Sequence, residues 1–146
     1  MITNISLASV FVKDVDASKQ FYVEVLGFDE GEDITLGDYR WCTVRHPNQP
    51  ELQVHLALPG PPHSPEMVES INRALDDGGM HGVGLATDDC RKTAEELKSR
   101  GVEFIQDPEE RPYGVEAVLR DNSGNWMVLI EHKEYTHADF ENVTGE

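Results

Sequence analysis

Gln53 and His55, two positions apart on one strand-like run, are the residues of this chain best placed to do chemistry. Over residues 51–58, Leu52, Val54, Leu56 and Leu58 alternate with Gln53, His55 and Ala57. Side chains two apart on a strand share a face, so the first set suits a helix-packed core and the second faces the other way. His55 can hydrogen-bond a ligand or act as a base near neutral pH. No second catalytic group is fixed beside it by spacing, and no phosphate-cradling glycine loop or Ser/His/Asp or Cys/His order stands out. By the same parity Leu7, Ser9 and Phe11 share one face of the first strand, and Gly82, Gly84 and Ala86 one face of the fifth. Small residues facing a Phe/His/Gln wall describe an apolar pocket with a few orienting polar groups. The alternative is that the glycines only let layers pack closely. Trp41, Tyr113 and Trp126, near strand ends or in the loop Arg111-Pro112-Tyr113-Gly114, offer flat rings for stacking, and each serves equally as a core or rim residue. The candidate ligand-binding set is Leu7, Ser9, Phe11, Trp41, Gln53, His55, Gly82, Gly84, Tyr113 and Trp126, with catalytic residues left open.

The elements that must position these residues occur twice, at an offset of 75 residues: Asp14 matches Asp89, Val44-Arg45 matches Leu119-Arg120, and Leu52-Gln53-Val54 matches Met127-Val128-Leu129. A repeat of this length is a supersecondary unit that cannot bury its apolar face alone, so two copies must pack together, and function is sought in the cleft between them. The first strand, residues 5–12, reads as buried on both faces. Asp14 caps a helix with Ala17, Phe21, Val25 and Leu26 inward and Gly27 as its stop; Asp88-Asp89 caps another with Cys90, Ala94 and Leu97 inward and Gly101 as its stop. Three strand-like runs follow each helix, at 29–36, 39–45 and 51–58, then at 102–106, 115–120 and 126–131. Each module reads βαβββ. The organisation expected is a first module over 1–58, a Pro/Gly-rich linker with a helix over 59–79, a second module over 80–132, and a polar tail over 133–146. The linker helix starts at Ser64-Pro65, carries an apolar stripe of Met67, Val68, Ile71, Ala74 and Leu75, and ends at Gly78-Gly79.

With 28 acidic against 12 basic residues the formal net charge is −16. Such a surface repels a phosphate backbone or an anionic membrane, which disfavours nucleic acid and membrane as partners and permits a cationic ligand. No apolar run is long enough to span a bilayer and the first residues do not form a secretory leader, so a cytoplasmic protein is expected. Cys42 and Cys90 form no metal or redox spacing and read as free thiols.

The segment from Asp14 to Tyr22 running into Leu26-Gly27-Phe28, the string Arg120-Asp121-Asn122-Ser123-Gly124-Asn125-Trp126, and the tandem modules together resemble the vicinal oxygen chelate superfamily, the glyoxalase, bleomycin-resistance and extradiol dioxygenase group. The resemblance spans residues 2–132 and implies an α+β fold in which tandem βαβββ modules form a concave, half-barrel mixed sheet with a cleft. It also implies a homodimer, in keeping with the sheet edges that such small modules expose. In enzymes of that superfamily, first-strand and last-strand residues of each module ligate a divalent metal. The matching positions here are Leu7, Gly82, Gln53 and Val128, one amide and three groups without a coordinating side chain, so no metal and no cofactor are expected. His81 lies one residue from Gly82, but its parity puts it with Val83 and Leu85 on the helix-facing side, and it reads as a strand-end histidine. Two functions remain open. One is a metal-free protein holding an apolar, planar or cationic compound, an antibiotic among the options. The other is an enzyme, either a metal-dependent lyase, isomerase or dioxygenase with its ligands at other positions, or a metal-independent catalyst using His55.

Overall fold

In the computed structural model, which describes residues 1–144, strand β1 (Leu7–Phe11) runs into Asp14, whose extended backbone and side chain start helix α1 (Val15–Gln20). The carboxylate accepts the Ala17 N–H at 2.9 Å, satisfying one of the donors that a helix start leaves unpaired. A π-helical segment, Phe21–Val25, continues it, with the Leu26 N–H donating to the Phe21 carbonyl. The buried face is Val15, Ser18 and Tyr22, one residue out of step with the expected Ala17, Phe21 and Val25. Hydrophobicity favours the latter set, but Ser18 and Tyr22 find buried polar partners, which removes the cost of enclosing their hydroxyls.

Strands β2 (Asp29–Leu36), β3 (Tyr39–Arg45) and β4 (Gln53–Ala57) complete a four-stranded mixed sheet in the order β1-β4-β3-β2. β1 and β4 are parallel, with Leu7 opposite Gln53, Ser9 opposite His55 and Phe11 opposite Ala57. β2 and β3 are antiparallel, with an irregularity between Glu30 and Asp33. The β3–β4 ladder holds two pairs, Thr43 with His55 and Val44 with Val54. Val10, Cys42, Val44, Val54 and Leu56 form the core side of the sheet, all at most 5 % exposed. The first strand is not buried on both faces, because Leu7 and Ser9 are exposed; β1 is an edge strand covered only on the side of Val10. Helix α2 (Pro65–Asp77) begins as expected, Ser64 accepting the Met67 N–H and proline standing at its start, and it buries Ile71 and Leu75.

The second sheet repeats the order as β5-β8-β7-β6, from β5 (Leu85–Ala86), β6 (Phe104–Arg111), β7 (Gly114–Arg120) and β8 (Trp126–His132). Helix α3 (Cys90–Ser99) is capped by Asp89, which accepts the Lys92 N–H, and it buries Cys90, Ala94 and Leu97 as the pattern requires. β6 extends past Gln106, where the sequence stops it. Pro108 cannot donate to a ladder, but it lies in an edge strand where the register shifts between Gln106 and Glu109, a place that tolerates proline. The described part of the polar tail carries helix α4 (His137–Thr144), and its last two residues lie outside the described residues. Neither sheet closes into a barrel, and the α+β architecture of two βαβββ modules stands. Among the described residues no helix is long and apolar enough to cross a membrane.

By compactness the chain divides into two units, Met1–Val83 with Asp121–Trp126, and Gly84–Arg120 with the residues from Met127 onward. The turn between β7 and β8 thus belongs to the first unit. Asp121 anchors it: its carboxylate accepts from the Tyr22 hydroxyl at 2.8 Å, the Ser123 and Asn125 backbone N–H groups and the Asn125 amide. Asn125 also donates to the Phe11 carbonyl at 2.8 Å. Gly124, at φ 99°, passes so near the Leu75 carbonyl that a Cβ there would overlap the oxygen. Only glycine fits that position.

Candidate functional site

The parity of β1, β3 and β4 sets Ser9, His55, Trp41 and Thr43 on the face opposite Val54 and Leu56. His55 is 9 % exposed, and its Nε2 is enclosed without a hydrogen-bond partner. Its ring lies against Trp41, centroids 4.2 Å apart at 33°. Burial lowers the imidazole below the usual histidine value, so the ring is neutral at pH 7. An enclosed polar atom without a partner is costly in a folded protein, and such atoms call for an explanation. The Trp41 indole N–H reaches Glu32 at 3.4 Å.

Two residues back along β4, the Gln53 Oε1 accepts the Thr43 hydroxyl at 2.6 Å, and Thr43 Oγ1 itself accepts the Glu32 backbone N–H at 2.9 Å. Phe11, half-buried, meets the His63 ring edge-on at 5.5 Å.

A cavity of about 240 Å³ opens beside His55. Its walls include Tyr39 and Arg40 of β3, Ala57 and Leu58 at the end of β4, and Pro59-Gly60-Pro61. It lies where the short β3–β4 ladder has ended, so the strands leave space between the Tyr39 end of one and the Ala57 end of the other. Arg40 is not a free cation: it binds Asp33 through Nε at 2.9 Å and Nη2 at 2.8 Å, and Asp16 at 2.8 Å. The Arg40 guanidinium in turn holds the Asp33 carboxyl down to about 2. Leu58, assigned to the core by its parity, is 55 % exposed because it lies beyond the last residue of β4.

The first unit therefore brings Leu7, Ser9, Phe11, Trp41, Gln53 and His55 onto neighbouring strands. Gly82 donates its N–H to the Trp126 carbonyl at 2.8 Å, in the same unit. The His81 ring meets Trp126 edge-on at 4.0 Å, and His81 is exposed at an isolated bridge to that residue. Gly84 and Tyr113 belong to the second unit. Space is open around Gly84, and Tyr113 stacks on Phe140 of α4 at 6.1 Å and 18°. Sequence reasoning missed Thr43, Tyr39, Arg40 and the residues that follow β4. Thr43 shares the parity of Trp41 and could have been found from it; the short ladder that makes the cavity has no sequence signal.

The residues at the superfamily's metal positions do not suit a divalent ion. Leu7 and Val128 offer no donor, Gly82 no side chain, and the Gln53 oxygen already accepts from Thr43. Among the described residues no group of three or more His, Cys, Asp or Glu side chains is placed to hold one.

Known proteins share this chain and fold along nearly its whole length. The crystal structure of UcmS2 is 37 % identical, covers 90 % of this chain and 99 % of its own, and superposes with a TM-score of 0.83. TnmS3, an antibiotic binding protein from Streptomyces sp. CB03234, is 30 % identical over 90 % of this chain and 98 % of its own, with a TM-score of 0.72. The uncharacterized protein YurT of Bacillus subtilis (strain 168) is 28 % identical over 127 residues, 87 % of this chain and 98 % of its own. The sequence profile that matches residues 4–129 completes the argument: the chain belongs to the Glyoxalase/Bleomycin resistance protein/Dioxygenase superfamily.

Proposed function

We propose that this protein binds a small apolar or planar compound on the first module, at the face carrying His55 and Trp41 and in the adjoining cavity, without a metal ion. The observation that carries this reading is the enclosed, unpartnered Nε2 of His55 beside that cavity. A ligand that entered the cavity and displaced the side chains enclosing the imidazole would supply the missing partner, while Trp41 offers its ring to a flat surface. The relationship to TnmS3 supports an antibiotic as one such compound. Arg40 is engaged by two carboxylates and so is not offered to an anionic ligand, and the net charge of −16 favours neutral or cationic ones. Phe11, Gln53 and Ser9 extend the surface, with Leu7 at its edge.

Titration of tryptophan emission with aromatic antibiotics and cationic glycopeptides tests the reading. At least one compound should quench or shift the emission, and His55→Ala should weaken it about tenfold, or ~1.4 kcal/mol. A panel without any response defeats the proposal. Protein purified without chelators is expected to carry no stoichiometric Zn, Ni, Fe or Mn. We also propose a homodimer, to be checked by sedimentation; a mass near that of the 16.4 kDa chain would remove the dimer and leave the binding site standing.

A further inference from the structure

A chain of contacts decides which end of the Gln53 amide is available to a ligand. At Gly31, β2 passes over Thr43 so closely that a Cβ would overlap Oγ1 and lie 2.8 Å from the Thr43 carbonyl oxygen. This approach lets the Glu32 N–H donate to Oγ1. Thr43 is fully buried, so its hydroxyl hydrogen needs an acceptor, and the Gln53 Oε1 at 2.6 Å is that acceptor. The separation is an O–H···O length, which fits Oε1 facing the hydroxyl. With Oε1 engaged, the Gln53 NH₂ is left as the group without a protein partner.

We propose that Thr43 is a positioning residue that leaves the Gln53 NH₂ as the donor offered to a ligand, so that this face selects planar compounds bearing a carbonyl-type acceptor. The proposal rests on the small-molecule reading above. Gln53 and His55 share the face and lie two residues apart, a separation of roughly 7 Å along the strand. A ring system against Trp41 and His55 with an acceptor toward Gln53 spans that distance. A carbonyl-type acceptor at this place would meet the Gln53 N–H groups, and a bare hydrocarbon would leave the amide desolvated.

The test compares 9-fluorenone with fluorene, which differ by one carbonyl, through quenching of tryptophan emission. Wild type should prefer the ketone about tenfold, while Thr43→Val and Gln53→Glu should each bring the preference within about twofold. Thr43→Ser keeps the hydroxyl and should restore it, which a purely structural role for Thr43 does not predict. Gln53→Glu keeps the test valid if Thr43→Val does not fold. A ketone preference that survives both Thr43→Val and Gln53→Glu overturns the inference and leaves the binding site intact. Equal binding of both compounds by wild type, weakened for both by His55→Ala, does the same. Failure of wild type to bind either compound while a compound of the antibiotic panel binds overturns the inference alone; failure of both probes and the whole panel defeats the small-molecule reading, and the inference with it.

Discussion

Tyr22 is fully buried, and its hydroxyl donates to an Asp121 carboxylate that also takes three N–H donors. Burial and the adjacent carboxylate push the phenol well above its usual value, so Tyr22 stays a donor throughout the working pH range. Removing it leaves a buried carboxylate short of one partner. Tyr22→Phe should lower the unfolding free energy by about 1.5–3 kcal/mol, measured by urea denaturation, because hydrogen bonds to charged groups are worth that much. His55 makes a prediction of opposite chemistry. Its imidazole is held low by burial, so the unfolded chain binds a proton first as pH falls. Stability contributed by the neutral ring is whole above the unfolded value near 6.5 and declines as pH falls from there towards the lower folded value. His55→Gln should remove that slope from the difference between melting curves taken at pH 7.5 and 5.5.

At the scale of elements, the site depends on β2 lying close over β3. Gly31→Ala places a methyl against the Thr43 hydroxyl and should cost about 1–3 kcal/mol by overpacking. Thermal unfolding would show it. The helix starts at Asp14, Ser64 and Asp89 were readable from sequence because a cap is a local contact between residues three apart. The 39–45 strand and the alternation of Val54 and Leu56 against Gln53 and His55 were readable for the same reason, since period two is written in consecutive residues. The inward face of α1 was not. Ser18 and Tyr22 look like surface residues until Ser123 and Asp121, about a hundred residues away, supply their partners. The passage of β6 through Pro108 was hidden too, because whether a proline breaks a strand depends on its being at an edge.

At the scale of the molecule, the tandem modules at a 75-residue offset, the Asp14–Phe28 segment and the Arg120–Trp126 string pointed to the superfamily, since all are patterns along the chain. The enclosed Nε2 of His55 and the cavity beside it arise from register, from a β3–β4 ladder only two pairs long, and no spacing encodes that. For the metal-free reading the expected result is a melting temperature unchanged by chelator or by added Zn or Mn, because an ion held only by the folded state would raise it by mass action. The measurement closest to the central claim is the imidazole nitrogen spectrum of ¹⁵N-histidine-labelled protein during titration with a compound that quenches tryptophan emission. The binding account predicts that the His55 Nε2 resonance moves with the same saturation curve as the quenching, while His81, exposed at its strand end, stays in place. Saturable quenching with the His55 Nε2 resonance unmoved would contradict it.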